Sequence, residues 1–169
     1  MLAGHLIVWT LPMAIFSGIA LVFLIKTRRF QPLSITRGGR RAVVDGLLGA
    51  LFAIVVALLA LPLLHLRFGF AFRGWEQAGD LVSNAYEELV ARGLVFTAAW
   101  YALDSRMLAA LISGLLFGLT HEQYPPLLRV LVGITGAVWS LVYARTGNFA
   151  APWIAHEGAD LVLGLILVG

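Results

Sequence analysis

Leu2–Ile25 reads LAGHLIVWTLPMAIFSGIALVFLI, and Ala42–Leu64 reads AVVDGLLGALFAIVVALLALPLL. The first holds no Lys, Arg, Asp or Glu, and the second is apolar from the residue after Asp45 to its end. Each exceeds the roughly 20 residues that cross a hydrocarbon layer. In neither do the apolar residues keep to one stripe, as they would on the surface helix of a water-soluble domain. Both read as membrane helices. The whole chain agrees: of 169 residues 60% are hydrophobic and 12% charged, too few charges to clothe a soluble domain of this size.

A secretory signal carries its positive charge ahead of the apolar run and a small-residue cleavage site behind it. Here Lys26, Arg28 and Arg29 follow the first run and nothing basic precedes it, so it is expected to be a retained first helix. Six of the twelve basic residues lie between Lys26 and Arg41. That is the positive-inside pattern, which puts loop 26–41 in the cytoplasm of a multi-pass cell-membrane protein. It also accounts for the net charge of +3 without a nucleic-acid partner. The expected surroundings are membrane lipid. The absence of cysteine excludes a thiol nucleophile, a thiolate metal site and a disulfide framework.

Apolar runs and breakers predict an all-α, multi-pass membrane bundle of about six transmembrane helices. After the first two runs come helices over about Glu76–Tyr101, Ser105–His121 and Leu127–Ala144, then a sixth opened by Pro152 and running to Val168. Arg67–Trp75 reads as an interfacial connection, Tyr124-Pro125-Pro126 as a break and Arg145–Ala151 as a loop. Trp75, Trp100-Tyr101 and Trp153 fall at helix ends, where interfacial aromatics belong. Residues 1–75 then form two membrane helices with the basic loop and the connection, and 76–169 a four-helix core.

Ionisable residues inside membrane helices cost at least ~2.5 kcal/mol each on insertion scales and are functional candidates. The third helix carries a polar stripe, Glu76, Asp80, Ser83, Asn84, Glu87 and Glu88, and then Arg92. The fourth carries Phe117 and His121, and the sixth His156 and Asp160. Four-residue spacing pairs Glu88 with Arg92, Phe117 with His121 and His156 with Asp160. Glu87 points about 100° away from Glu88 and is left for another partner, while Glu122 and Glu157 turn away from the histidines beside them toward solvent. Gly114 and Gly118 share the face of His121, a small-xxx-small pattern that admits a close neighbour helix, and Gly133 and Gly136 also read as packing positions. One carboxylate and two imidazoles are expected to converge in a tightly packed bundle. His5 and His65 are assigned no role.

Glu87-Glu88…Arg92, Phe117…His121 and His156…Asp160 occur in that order. This set resembles the signature of the CPBP family, the CAAX-type prenyl-protein endopeptidases and bacteriocin-processing enzymes: Glu-Glu-x-x-x-Arg, Phe-x-x-x-His and His-x-x-x-Asn or Asp on successive membrane helices. The resemblance covers roughly Asn84 to the C-terminus, and the first two helices carry no mark of it. It implies hydrolysis of a peptide bond in a prenylated CAAX-like or leader-peptide substrate, a peptide or lipidated protein. Carried over, Glu87 would be the general base and His121 its partner on the water. His156 and Asp160 would stabilise the oxyanion. Glu88, Arg92 and Phe117 would support the site, with Arg92 in reach of a substrate carboxylate or carbonyl.

An ionised Asp160 cannot donate to an oxyanion, so it would instead orient His156, or the cluster would ligate a metal. Glu87, His121, His156 and Asp160 are reasonable zinc ligands, although the spacing is not His-Glu-x-x-His. Either no cofactor or one divalent metal fits, and direct water activation is preferred. Strict alternation of spans starts His156 at the face opposite Glu87 and His121, unless Arg145–Pro152 dips into the bundle. Two competing readings remain. One is a serine protease using Ser113, although Leu111 stands where Gly-x-Ser-Gly needs its first glycine. The other is a non-catalytic membrane factor of the bacteriocin-immunity kind or a proton-coupled carrier, since buried carboxylates and imidazoles also make proton relays.

Overall fold

The computed structural model describes residues 15, 17–27, 37–64, 67–69 and 75–168. Most of the first apolar run and of loop 26–41, with His5 and His65, lies outside them. The architecture is an all-helical bundle. The helices are α1 (Ser17–Thr27), α2 (Gly39–Leu64), α3 (Trp75–Glu88), a π-helical segment Leu89–Phe96 continuing it, α4 (Thr97–Leu103), α5 (Arg106–Leu119), α6 (Pro126–Thr146) and α7 (Ala150–Ile166). A two-residue antiparallel bridge, β1 (Arg67–Phe68) with β2 (Leu167–Val168), ties the connection after α2 to the end of α7.

The helix ends follow local chemistry. Asp104 ends α4 in the left-handed region at φ 51°, and Ser105 opens α5 by accepting the Leu108 N–H at 3.3 Å. Pro126 stands at the first position of α6, and Gly147 closes it at φ 61° with its N–H on the Tyr143 carbonyl at 2.8 Å. Only Gly147–Phe149 separates α6 from α7. The helix expected to open at Pro152 is α7, and it starts earlier, at Ala150, where the Asn148 side chain caps it by accepting the Ala150 N–H at 2.8 Å.

Two seams of small residues set the packing. On α5, a Cβ at Gly114 or Gly118 would collide with the Gly133 or Arg129 carbonyl oxygen of α6. On α2, a Cβ at Gly46 would stand 2.7 Å from the Ala151 carbonyl oxygen, and one at Gly49 2.9 Å from Ala155 Cβ. Without side chains in the way, α5 and α6 approach backbone to backbone, and so do α2 and α7. The outward faces are the reverse: Leu47, Leu48, Leu51 and Leu59 of α2 and Leu108, Leu111, Leu115 and Leu119 of α5 are all exposed. Such continuous apolar faces suit lipid and would be a liability in water. Gly39–Pro62 and Pro126–Thr146 are long and apolar enough to cross a membrane, and Ser17–Thr27 and Arg106–Leu119 are apolar but shorter.

Asp45, the acidic residue inside the second apolar run, is 7% exposed. It lies 3.1 Å from Arg145 Nε at the end of α6 and 3.6 Å from Arg41 Nε. This end of the bundle gathers Arg37, Arg40, Arg41 and Arg145 at the start of α2 and the α6–α7 turn, with Arg106 at the start of α5.

Candidate active site

The polar half of α3 faces α7 across a cavity of about 630 Å³, whose wall includes Asn84, Glu87, His121, His156 and Asp160. Its apolar side is formed by Ala53 and Val56 of α2, Leu131 and Trp139 of α6 and Leu163 of α7. Phe117 stands between the two histidines, its ring centroid 4.6 Å from His121 and 5.7 Å from His156. The expected difference in depth does not arise. Glu88 lies in the middle of the continuous run from Trp75 to Leu103, and His156 lies two turns into α7, so the two meet in mid-bundle without a dipping loop.

Beneath the cavity Glu88 and Arg92 are fully buried. Arg92 Nη1 donates to Glu88 Oε1 at 2.8 Å and Nη2 to the Gly136 carbonyl at 2.9 Å. The guanidinium carbon sits 4.5 Å from the Phe117 ring centroid and 5.5 Å from that of Trp139, a cation–π seat in a dry interior. As placed, Arg92 is enclosed, held by its two hydrogen bonds and the Phe117 and Trp139 rings. Gly136 does more than pack, since a Cβ there would stand 3.2 Å from Arg92 Nη2, and its carbonyl is one of the arginine's partners. Among the described residues Glu88 Oε2 and Arg92 Nε have no hydrogen-bond partner.

The π segment carries Arg92 and begins directly after Glu88. A π turn widens the helix and leaves carbonyls off the usual ladder. Two of them find hydroxyls, Ala91 from Ser113 Oγ and Arg92 from Thr97 Oγ1, each at 2.9 Å. Ser113 is thereby spent. It is 1% exposed and its other contact is Ser140 Oγ at 3.2 Å, so it faces the π segment and an α6 hydroxyl rather than a histidine base.

The two histidines are held differently. His121 lies just past α5 with Nδ1 2.7 Å from the Phe117 carbonyl. A carbonyl only accepts, so Nδ1 carries the proton and Nε2 of a neutral ring is an acceptor. Nε2 faces Glu87 Oε2 at 3.9 Å, too far for a direct hydrogen bond. His156 is 5% exposed, with Nδ1 3.0 Å from Glu88 Oε1 and Nε2 3.4 Å from Asp160 Oδ2. Its ring lies against Trp139 at 4.7 Å between centroids, and Trp139 Nε1 donates to the Gly49 carbonyl of α2 at 3.1 Å.

Asn84, read from sequence only as part of a polar stripe, is 4% exposed. It donates from Nδ2 to Asp160 Oδ2 at 3.0 Å and to Glu157 Oε2 at 3.1 Å. Glu157 is thus half-buried and held by Asn84, not turned out to solvent, because α7 lies close enough to α3 for the amide to reach it. The signal for Asn84 was its place one turn before Glu88. For Trp139 it was an indole in mid-helix rather than at an interface.

A catalytic zinc needs three protein ligands at about 2.0–2.2 Å from one point. No three His, Asp or Glu side chains meet that way among the described residues. Each histidine has its Nδ1 hydrogen-bonded, His121 to the Phe117 carbonyl and His156 to Glu88, and turns Nε2 toward a carboxylate, Glu87 or Asp160, at 3.9 and 3.4 Å. As placed, the four candidate ligands do not fit a zinc centre, and no step below runs through one.

Residues 70–162, more than half of the chain, match the family model of the type II CAAX prenyl endopeptidase Rce1-like proteins. The chain belongs to this family of membrane endopeptidases. Comparison with curated proteins and with solved structures gives no match.

Proposed function

We propose that the chain is a multi-pass intramembrane endopeptidase in which Glu87 and His121 activate a water against a peptide carbonyl. The observation that carries this is the 3.9 Å between Glu87 Oε2 and His121 Nε2 on the cavity wall. Two acceptors at that separation suit one water that donates a hydrogen bond to each from about 2.8 Å. Glu87 takes the proton as the water oxygen bonds to the carbonyl carbon, and returns it to the leaving amine. The oxyanion then needs a donor. Set between the Glu88 and Asp160 carboxylates, His156 serves as an imidazolium, which alone has an N–H on each nitrogen: Nδ1 donates to Glu88 and Nε2 supplies the oxyanion's donor, while Asp160 orients the ring rather than donating. Glu88 anchors the same ring from below.

The substrate is a peptide or a lipidated protein, of the prenylated CAAX-like or leader-peptide kind. The apolar wall from α2 and α6 suits a lipid chain or an apolar segment lying beside the scissile bond. The arginine-rich end of the bundle is assigned to the cytoplasm with loop 26–41. The cavity reaches Gln123 and Tyr124 at the far ends of α5 and α6, so this orientation opens it on the non-cytoplasmic side. The chain has no cysteine, so single cysteines at Arg40 and Gln123, probed with an impermeant thiol reagent on intact cells, test that directly. Labelling of Gln123→Cys alone is expected, and labelling of Arg40→Cys alone would reverse the assignment.

The decisive assay is hydrolysis of prenylated CAAX peptides and leader peptides by the purified protein, with and without chelator. Turnover that survives chelation and is lost in His121→Ala supports water activation by side chains. Turnover abolished by chelator and restored by a divalent cation would replace it with a metal mechanism.

A further inference from the structure

The polar contacts between α3 and α7 form a line that starts and ends on the same helical run. Arg92 donates to Glu88, Glu88 accepts from His156, His156 lies against Asp160, and Asp160 accepts from Asn84, which is two turns from Arg92 on the run that began the line. The far end is therefore not solvent but a buried amide. Its two N–H groups go to two carboxylates, Asp160 and Glu157. Both partners are acceptors, which fixes the amide with nitrogen, not oxygen, toward α7.

Asn84 and His156 Nε2 converge on the same atom, Asp160 Oδ2, at 3.0 and 3.4 Å. Asp160 is the more exposed member of the pair, its side chain 43% exposed against 7% for His156, so without a tether it is free to rotate toward water. A lysine or arginine at position 84 would also hold it, but would cancel its charge and compete with the imidazole. A neutral amide holds the carboxylate while leaving its charge to the histidine. Glu157 gives the amide its second anchor, so the clamp is locked from both sides.

We propose that Asn84 is a positioning residue that holds Asp160 against His156, and that Glu157 is the anchor that keeps Asn84 in place. The proposal rests on the hydrolytic reading above for its effect on turnover, but not for its effect on the imidazole. Two measurements on Asn84→Ala test it. In hydrolysis, kcat should fall about tenfold with KM near that of the unaltered protein, the size expected for losing a partner that orients a reacting group. In the Asp160→Asn background the same substitution should add less than about twofold, since coupled residues do not sum. In 15N-labelled protein, the His156 imidazole resonances should move while those of His121 stay.

If Asn84→Ala does not fold, Asn84→Gln, which keeps the amide but shifts it by one methylene, carries both measurements. Losses that add fully in the double variant, with His156 resonances unmoved, would overturn the proposal. Resonances that move in a protein showing no hydrolysis would uphold the clamp and count against the protease reading instead.

Discussion

Glu87 and Glu88 are neighbours in the chain and occupy two different solvents. Glu87 has a third of its side chain open to the cavity and only a loose approach to His121, while Glu88 is fully buried with Arg92 and His156 both donating to one oxygen. The turn of about 100° per residue in a helix is enough to send one carboxylate into water and the next into a dry interior. The difference assigns roles. A carboxylate that must gain and lose a proton needs access and few fixed partners, whereas one that braces a buried arginine needs the opposite.

The largest effect is expected from breaking the buried side. Glu88→Gln leaves the Arg92 charge without its counter-ion in a fully buried seat, and should cost about 3–5 kcal/mol of stability, read as a large fall in melting temperature with activity lost alongside. Glu87→Gln should do the reverse. Hydrolysis should fall on the order of 10²-fold or more, with the melting temperature close to that of the unaltered protein. If both variants lost stability equally and neither lost turnover separately, the contrast between the two glutamates would be merely structural.

A smaller effect sharpens the comparison from the packing side. Gly118→Ala forces a methyl group onto the Arg129 carbonyl and should cost about 1–3 kcal/mol through overpacking. It should also lower turnover, because Phe117 precedes Gly118 directly on α5 and His121, just past the helix end, hangs from the Phe117 carbonyl. Trp139→Phe keeps an aromatic face for His156 but loses the hydrogen bond to Gly49. A cost of about 0.5–1.5 kcal/mol is expected, with Glu88 and Arg92 still paired. Urea or thermal denaturation in detergent separates these two from the glutamate variants.

Much of the site was legible because its residues obey helix arithmetic. Glu88 and Arg92, Phe117 and His121, and His156 and Asp160 are each four apart, and the first and last pairs do lie within ion-pair distance. Charged residues in apolar helices announce themselves against their background. The glycines of α5 were legible for the same reason, as a spacing. What spacing does not reveal is contact between helices. That Asn84 reaches Asp160 and Glu157, or that the Gly136 carbonyl holds Arg92, depends on how α3, α6 and α7 cross. The π segment was also hidden, since LVARGLVF reads as ordinary helix until Ser113 and Thr97 are seen to supply donors for its carbonyls. Asp45 is a third case. One acid near the start of an apolar run gains its partner from Arg145, a hundred residues later in the chain.

The seam between α2 and α7 bears on any attempt at dissection. The family match begins at residue 70, which invites expression of that segment alone as a minimal catalytic unit. Yet Ala151, Ala155 and Ala159, which carry His156 between them, are buried in the full chain, and a Cβ at Gly46 or Gly49 of α2 would crowd the first two. The Trp139 indole beside His156 is likewise tied to a carbonyl of α2. A segment lacking α2 would turn the smooth back of α7 toward lipid, where alanines grip nothing, and the histidine would ride on an unguided helix. The helix without a motif is the rail on which the motif-bearing one is mounted.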